Sequence, residues 1–224
     1  MSKFLLYSEE NYEYILQPAG KVVLALFILL IFFLGIFLFR KKEAKQITTK
    51  QLSFSGIALA LALVASYIKL TSLPFGGSIT LFSMFFICFI GYVYGPKVGI
   101  TIAVSYGFMQ LLLEPYIYAP LQVILDYPLA FGMLGLCGFF ANSKHGFLKG
   151  YLLGVSGRYL CHVISGYLFF AEYAPDGVNP LVYTLLYNAT YIVPETIITV
   201  ILLLLPVMVK AIQQVKVMAT TTDH

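Results

Sequence analysis

Charge is scarce in this chain. Asp, Glu, Lys and Arg make up 11% of its 224 residues, against about 25% in an average soluble domain, and so small a share leaves no room for a separate water-soluble domain. Its three cysteines, Cys88, Cys137 and Cys161, sit inside apolar stretches with no CxxC or other metal-ligand spacing. They read as small core residues. No Walker-type phosphate loop, HExxH pair or serine nucleophile elbow occurs, which argues against resident ATPase, zinc-protease or serine-hydrolase chemistry. No segment carries the repeated polar stripe that would line a continuous pore, and no internal repeat is evident. Met1 to Gly20 is polar and mildly acidic with no small-residue cleavage site after the apolar run that follows, so it does not read as a signal peptide.

What fills the chain is apolar: 60% hydrophobic residues and a mean hydropathy of +0.88. A span needs about 20 apolar residues, so the length holds six or seven. The pattern predicts an all-α polytopic membrane protein in three parts. Residues 1–50 form an N-terminal extension with one transmembrane helix, Val22 to Phe39, and a basic linker. Residues 51–212 form a six-helix substrate-binding domain, and residues 213–224 form a tail. The six spans are read at about Phe54 to Leu70, Ile79 to Tyr94, Val98 to Leu113, Leu121 to Ala141, Phe147 to Ala171 and Pro180 to Val209.

Loop charge predicts orientation. Arg40, Lys41, Lys42, Lys45, Lys50, Lys97, Lys144, Lys149, Lys210 and Lys216 fall at one side of this arrangement, and Lys3, Lys21 and Lys69 at the other. Basic loops stay in the cytoplasm, so the N-terminus is expected outside and the C-terminus inside.

The polar residues within the spans stand out against this background. Arg158 and His162 lie four apart on one face of the span from Phe147 to Ala171, and ionisable groups at such depth are functional-site candidates by default. At 1.5 Å rise per residue, Asp126, His162 and Asn188 lie about 10, 13 and 12 Å below the outer ends of their helices. Three polar groups from three helices thus share a layer, with Tyr183 and Tyr187 beside it. Arg158 and Glu195 come out deeper, at roughly 19 and 22 Å, which predicts a buried ion pair between the last two spans. A carboxylate, a histidine and an asparagine among aromatic rings suit a small, flat, amine-bearing or cationic ligand. Each of these groups alone is also an ordinary interhelical hydrogen-bonding residue. An intramembrane enzyme using Asp126, His162 and Glu195 is the remote alternative; the separation of Glu195 from the upper layer argues against it.

Leu125 to Gly132, Arg158 to Phe170, Tyr183 to Asn188 and Pro74 to Leu81 resemble the thiamine-specific S component of energy-coupling factor (ECF) transporters. The likeness covers about Leu52 to Val209, and the run His162, Gly166, Phe170 is its most specific piece. It implies a substrate-binding subunit, not an enzyme, that captures thiamine from outside the bacterial plasma membrane. It also implies partners: a transmembrane coupling protein and two cytoplasmic ATPases, with lipid around them. No cofactor, metal or nucleic acid is expected. By this resemblance Asp126, with Tyr127 beside it, supplies the carboxylate, His162 faces the vitamin, and Gly166 allows close approach. Tyr183, Asn188, Tyr106 and Tyr116 complete the pocket, and Ala58 and Ala62 form the small-residue face that meets the coupling protein. The family's carboxylate is often a glutamate, and its stacking tryptophan falls on Phe170 in a chain without tryptophan. A thiamine precursor or a pyridoxine-like heterocycle therefore stands as the alternative ligand.

Overall fold

A computed structural model describes residues 4–8, 13–38, 48–73 and 77–221. The basic block from Arg40 to Lys45 and the loop tip from Pro74 to Gly76 lie outside the described residues. A short antiparallel hairpin, β1 (Leu5–Ser8) and β2 (Glu13–Leu16), precedes α1 (Pro18–Leu38). Then come α2 (Thr49–Tyr67), a second hairpin of β3 (Lys69–Ser72) and β4 (Ser78–Thr80), α3 (Ser83–Tyr94) and α4 (Pro96–Leu113). The chain continues through α5 (Pro120–Phe140), α6 (Gly146–Phe169), α7 (Pro180–Leu204) and α8 (Pro206–Thr220). Neither hairpin is foreseen from hydropathy.

Prolines begin several of the helices. Pro96, Pro120, Pro180 and Pro206 each occupy a first turn, where the missing N–H has no intrahelical partner to lose. Pro206 also corrects the last span, which hydropathy extends to Val209. The helix stops at Leu204 because Leu205, the residue before the proline, is extended (φ −69°, ψ 126°), as the proline ring's steric demand favours. Helix α8 then runs separately, burying Ile212 and Ala219 and exposing Val207, Val217 and Met218.

Among the described residues, four helices are long and apolar enough to cross a membrane: α2, α4, α5 and α7. Pro18–Leu30 and Ser83–Tyr94 are shorter apolar stretches, and α6 has the length, 24 residues, but carries Lys149, Arg158 and His162. Helix α3 is shorter than its expected span because Ile79 belongs to β4 and Phe82 turns through the left-handed region (φ 63°) before the helix begins.

Helices α3, α4 and α5 meet along glycines. A Cβ on Gly135 would stand 2.3 Å from the backbone nitrogen of Ile100, and one on Gly99 would stand 2.6 Å from the Cα of Gly91. Backbones approach this closely in membranes only where side chains are absent. Helix α1 leans on the bundle through Ile28, 5% exposed, and turns Leu26, Phe27, Leu29 and Leu30 outward.

Helix α2 packs differently from expectation. Ala58 and Ala62 are buried in the chain's own core, 7% and 0% exposed, and the Ala62 carbonyl accepts a hydrogen bond from the Tyr106 hydroxyl at 3.1 Å. They offer no surface to another protein. The outward face of α2 instead carries Ser53, Gly56, Ile57, Ala60 and Leu61.

Candidate functional site

Helix α5 departs from regular geometry where the site begins. Pro128 has no N–H to give, and Leu125–Leu129 widens into a π turn in which Ala130 N–H bonds to the carbonyl of Leu125, five residues back. Such bulges re-aim side chains, and this one presents Asp126 and Tyr127. Asp126 is the hub. Its Oδ1 lies 3.0 Å from His162 Nδ1 on α6. Its Oδ2 accepts from Ser165 at 2.9 Å and from Gln122 at 2.8 Å.

His162 is oriented from its other side by Arg158, whose Nε donates to His162 Nε2 at 3.3 Å. A guanidinium only donates, so Nε2 is the acceptor and the ring proton is assigned to Nδ1, directed at Asp126. Asn188 on α7 donates to the His162 carbonyl at 3.3 Å and to the Thr184 carbonyl at 2.9 Å, and its Oδ1 accepts from the Tyr191 hydroxyl. Asp126, His162 and Asn188 thus belong to one connected network.

The expected ion pair between Arg158 and Glu195 is absent. Arg158 lies 4.2 Å above the Phe131 ring and bonds His162. Glu195 accepts from Thr80 at 2.8 Å, from Ser83 at 3.3 Å and from the Met84 amide at 3.2 Å. Three donors at the β4–α3 junction solvate the carboxylate, so it needs no cation in contact. Arg158 and Glu195 instead line a common cavity. That arrangement also keeps Glu195 out of the Asp126–His162 couple.

Two chambers share Asp126, His162 and Tyr191. The larger, about 130 Å³, is lined by Thr80, Tyr106, Gln110, Glu114, Tyr116, Tyr127, Arg158 and Glu195 among others. The smaller, about 40 Å³, is lined by Ser165, Gly166, Phe170, Tyr183, Thr184, Tyr187 and Asn188. Formal charges on the larger chamber are three carboxylates, Glu114, Asp126 and Glu195, against the Arg158 guanidinium. Lys69 offsets Glu114 through a 2.7 Å pair. One negative charge is left over.

The remaining expected residues take varied places. Tyr106 is fully buried and bonded to Gln110 and Ala62, so it closes the larger chamber's floor. Tyr127 uses its hydroxyl to hold the α4–α5 loop, accepting from the Tyr116 amide at 2.7 Å and donating to the Glu114 carbonyl at 3.0 Å. Burial, and after it the Glu13 carboxylate, push the Tyr116 phenol above its ordinary pKa. Phe170 meets Tyr118 at 5.1 Å and Tyr116 at 6.1 Å between ring centroids. Gly166 serves helix contact: a Cβ there would lie 2.1 Å from Thr184 Cγ2. Gln122, Ser165, Thr80, Ser83, Phe131 and Tyr191 were missed from sequence. Gln122 and Ser165 were within reach, since each lies at helical spacing from a residue already singled out, Asp126 and His162.

A bundle of apolar helices enclosing a polar, aromatic-walled cavity with a surplus carboxylate defines a multi-pass membrane protein that binds a small polar ligand. The chain belongs to the thiamine transporter protein family, whose match covers residues 52–215. It is 36% identical over 148 residues to the thiamine transporter ThiT of Bacillus subtilis, covering 60% of this chain and 77% of that one. To the ThiT of Lacticaseibacillus paracasei it is 32% identical over 113 residues, or 43% and 56% of the two chains. A solved structure of ThiT from Listeria monocytogenes superposes with a TM-score of 0.57 at 24% identity, covering 68% of this chain and 92% of the other. That likeness bears on the fold.

Proposed function

We propose that this chain is the thiamine-capturing membrane subunit of an uptake transporter. The observation that carries the reading is the Asp126–His162 couple, 3.0 Å apart and shared by both chambers. Asp126 already accepts from three donors, so an incoming amine or ring N–H would displace one of them. A thiazolium cation balances the surplus negative charge of the cavity, and Phe170, Tyr183 and Tyr187 provide π faces for it.

Orientation follows from the two ends of the bundle. Glu13, Glu114 and Glu172 lie near Tyr116 and Tyr118 at the rim end, whereas Lys50 and Lys216 bond the Thr221 and Ala141 carbonyls at the opposite end. We place the end with Tyr116 and Tyr118 outside and the lysine-bearing end in the cytoplasm, where basic flanks are retained.

Energy would come from partners of the energy-coupling factor type, a coupling protein and two ATPases. Because Ala58 and Ala62 are interior, docking on α2 falls to the face with Gly56 and Ala60. A Cβ on Gly56 meets nothing within 4 Å, so a partner helix has room to approach.

Binding to purified protein in lipid nanodiscs tests the ligand. Thiamine, its isolated aminopyrimidine half and pyridoxine are titrated in parallel. Saturable binding of thiamine above the other two supports the reading. Binding of the pyrimidine or of pyridoxine alone overturns it in favour of a related heterocycle.

A further inference from the structure

The N-terminal hairpin and α1 lie outside residues 52–215, the range that matches the family, yet the hairpin bonds the loop whose Tyr116 lines the larger chamber. The backbone N–H of Tyr14 donates to the carbonyl of Ile117 at 2.7 Å. Tyr14 faces Tyr7 across the hairpin, their rings 5.2 Å apart, and its N–H points away from that pair toward the α4–α5 loop. The loop it meets, residues 114–119, is the one fastened by Tyr127 and by Gln122, which accepts from the Tyr118 amide at 3.1 Å and donates to the Tyr116 carbonyl at 3.2 Å. Its tyrosines in turn lie against Phe170, a wall of the smaller chamber.

The hairpin is also anchored at its other side. Gln17 N–H donates to the Phe4 carbonyl at 3.0 Å. The same carbonyl nests against Gly20 so closely that a Cβ there would stand 2.2 Å from its oxygen. Helix α1 then ties this unit to the bundle through Ile28. A continuous connection therefore runs from α1 through the hairpin to the aromatic rim.

We propose that the N-terminal hairpin is a working part of the ligand site, with Tyr14 a positioning residue. By bonding Ile117 it holds Tyr116 and Tyr118 against Phe170, and so slows departure of the bound cation. The inference rests on the ligand-binding reading above. Ordering a rim in advance lowers the entropy lost on binding, and changes of this sort act mainly on dissociation.

Two substitutions release the hairpin from opposite sides. Tyr14→Pro removes the donor to Ile117, and Gly20→Leu drives the Phe4 carbonyl off α1. Release of labelled thiamine from nanodisc-embedded full-length protein into excess unlabelled thiamine should accelerate about tenfold in each, with association little changed. In the same proteins without ligand, amide exchange should quicken across residues 114–119. If both variants are monodisperse and helical, and either release or loop exchange matches the parent, the proposal is overturned. Should Tyr14→Pro not assemble, Gly20→Leu decides alone. A parent that binds no thiamine overturns the ligand reading instead, while loop exchange still judges the hairpin contact.

Discussion

His162 is held by three neighbours: Arg158 at one ring nitrogen, Asp126 at the other and Asn188 at the main-chain carbonyl. Removing one partner leaves the others in place. Asp126→Ala or His162→Ala should therefore weaken thiamine binding by about 10- to 100-fold, corresponding to about 1.5–3 kcal/mol for a charge-assisted hydrogen bond. Calorimetric titration measures the loss, and unchanged affinity in both variants would remove the couple from the site. Glu195 calls for a different assay. Replacing it with Ala strips an acceptor from Thr80, Ser83 and the Met84 amide, and a buried donor left without a partner costs about 1–3 kcal/mol. Thermal unfolding in detergent should show Glu195→Ala well below the parent and Glu195→Gln, which keeps an acceptor, between them.

At the scale of elements, the π turn at Pro128 and the glycine contacts of α3, α4 and α5 together set where Asp126 stands. Gly135 has no spare space, since its Cβ would fall 2.3 Å from the Ile100 nitrogen. Gly135→Ala should force α4 and α5 apart and lower stability by about 1–3 kcal/mol, the usual cost of overpacking. The drop in unfolding temperature is the readout, and a tolerated alanine would mean that the helices shift without penalty. Helix existence was legible from hydropathy, and the π turn at Pro128 was not. The sense of the irregularity was not legible, because a proline can kink, widen or end a helix according to what its neighbours accept.

For the whole molecule, α2 has one face inside the protein and one outside. Gly56→Leu together with Ala60→Leu should leave thiamine affinity intact and abolish uptake into cells that express the coupling partners. Ala62→Leu, placed at a position with no exposure, should instead lower stability and expression. Transport that survives the first pair would move the docking face off α2. The N-terminal unit belongs to this scale too: hydropathy marks α1 as one more membrane helix, and only assembly brings its hairpin to the rim of the cavity.

Hydropathy, loop charge and helical rise are properties of the chain that add up residue by residue, and so a helical membrane protein was legible from them, together with estimated heights for its polar groups. Height placed Asp126, His162 and Asn188 together and also matched Arg158 with Glu195. Which groups meet depends as well on how each helix is turned about its axis, and packing alone decides that. Tertiary structure therefore gave Arg158 to His162 and Phe131, gave Glu195 to Thr80, Ser83 and Met84, and turned Ala58 and Ala62 inward. It also carried Tyr14 across the fold to Ile117, because a contact between residues so far apart in the chain leaves no local pattern to read.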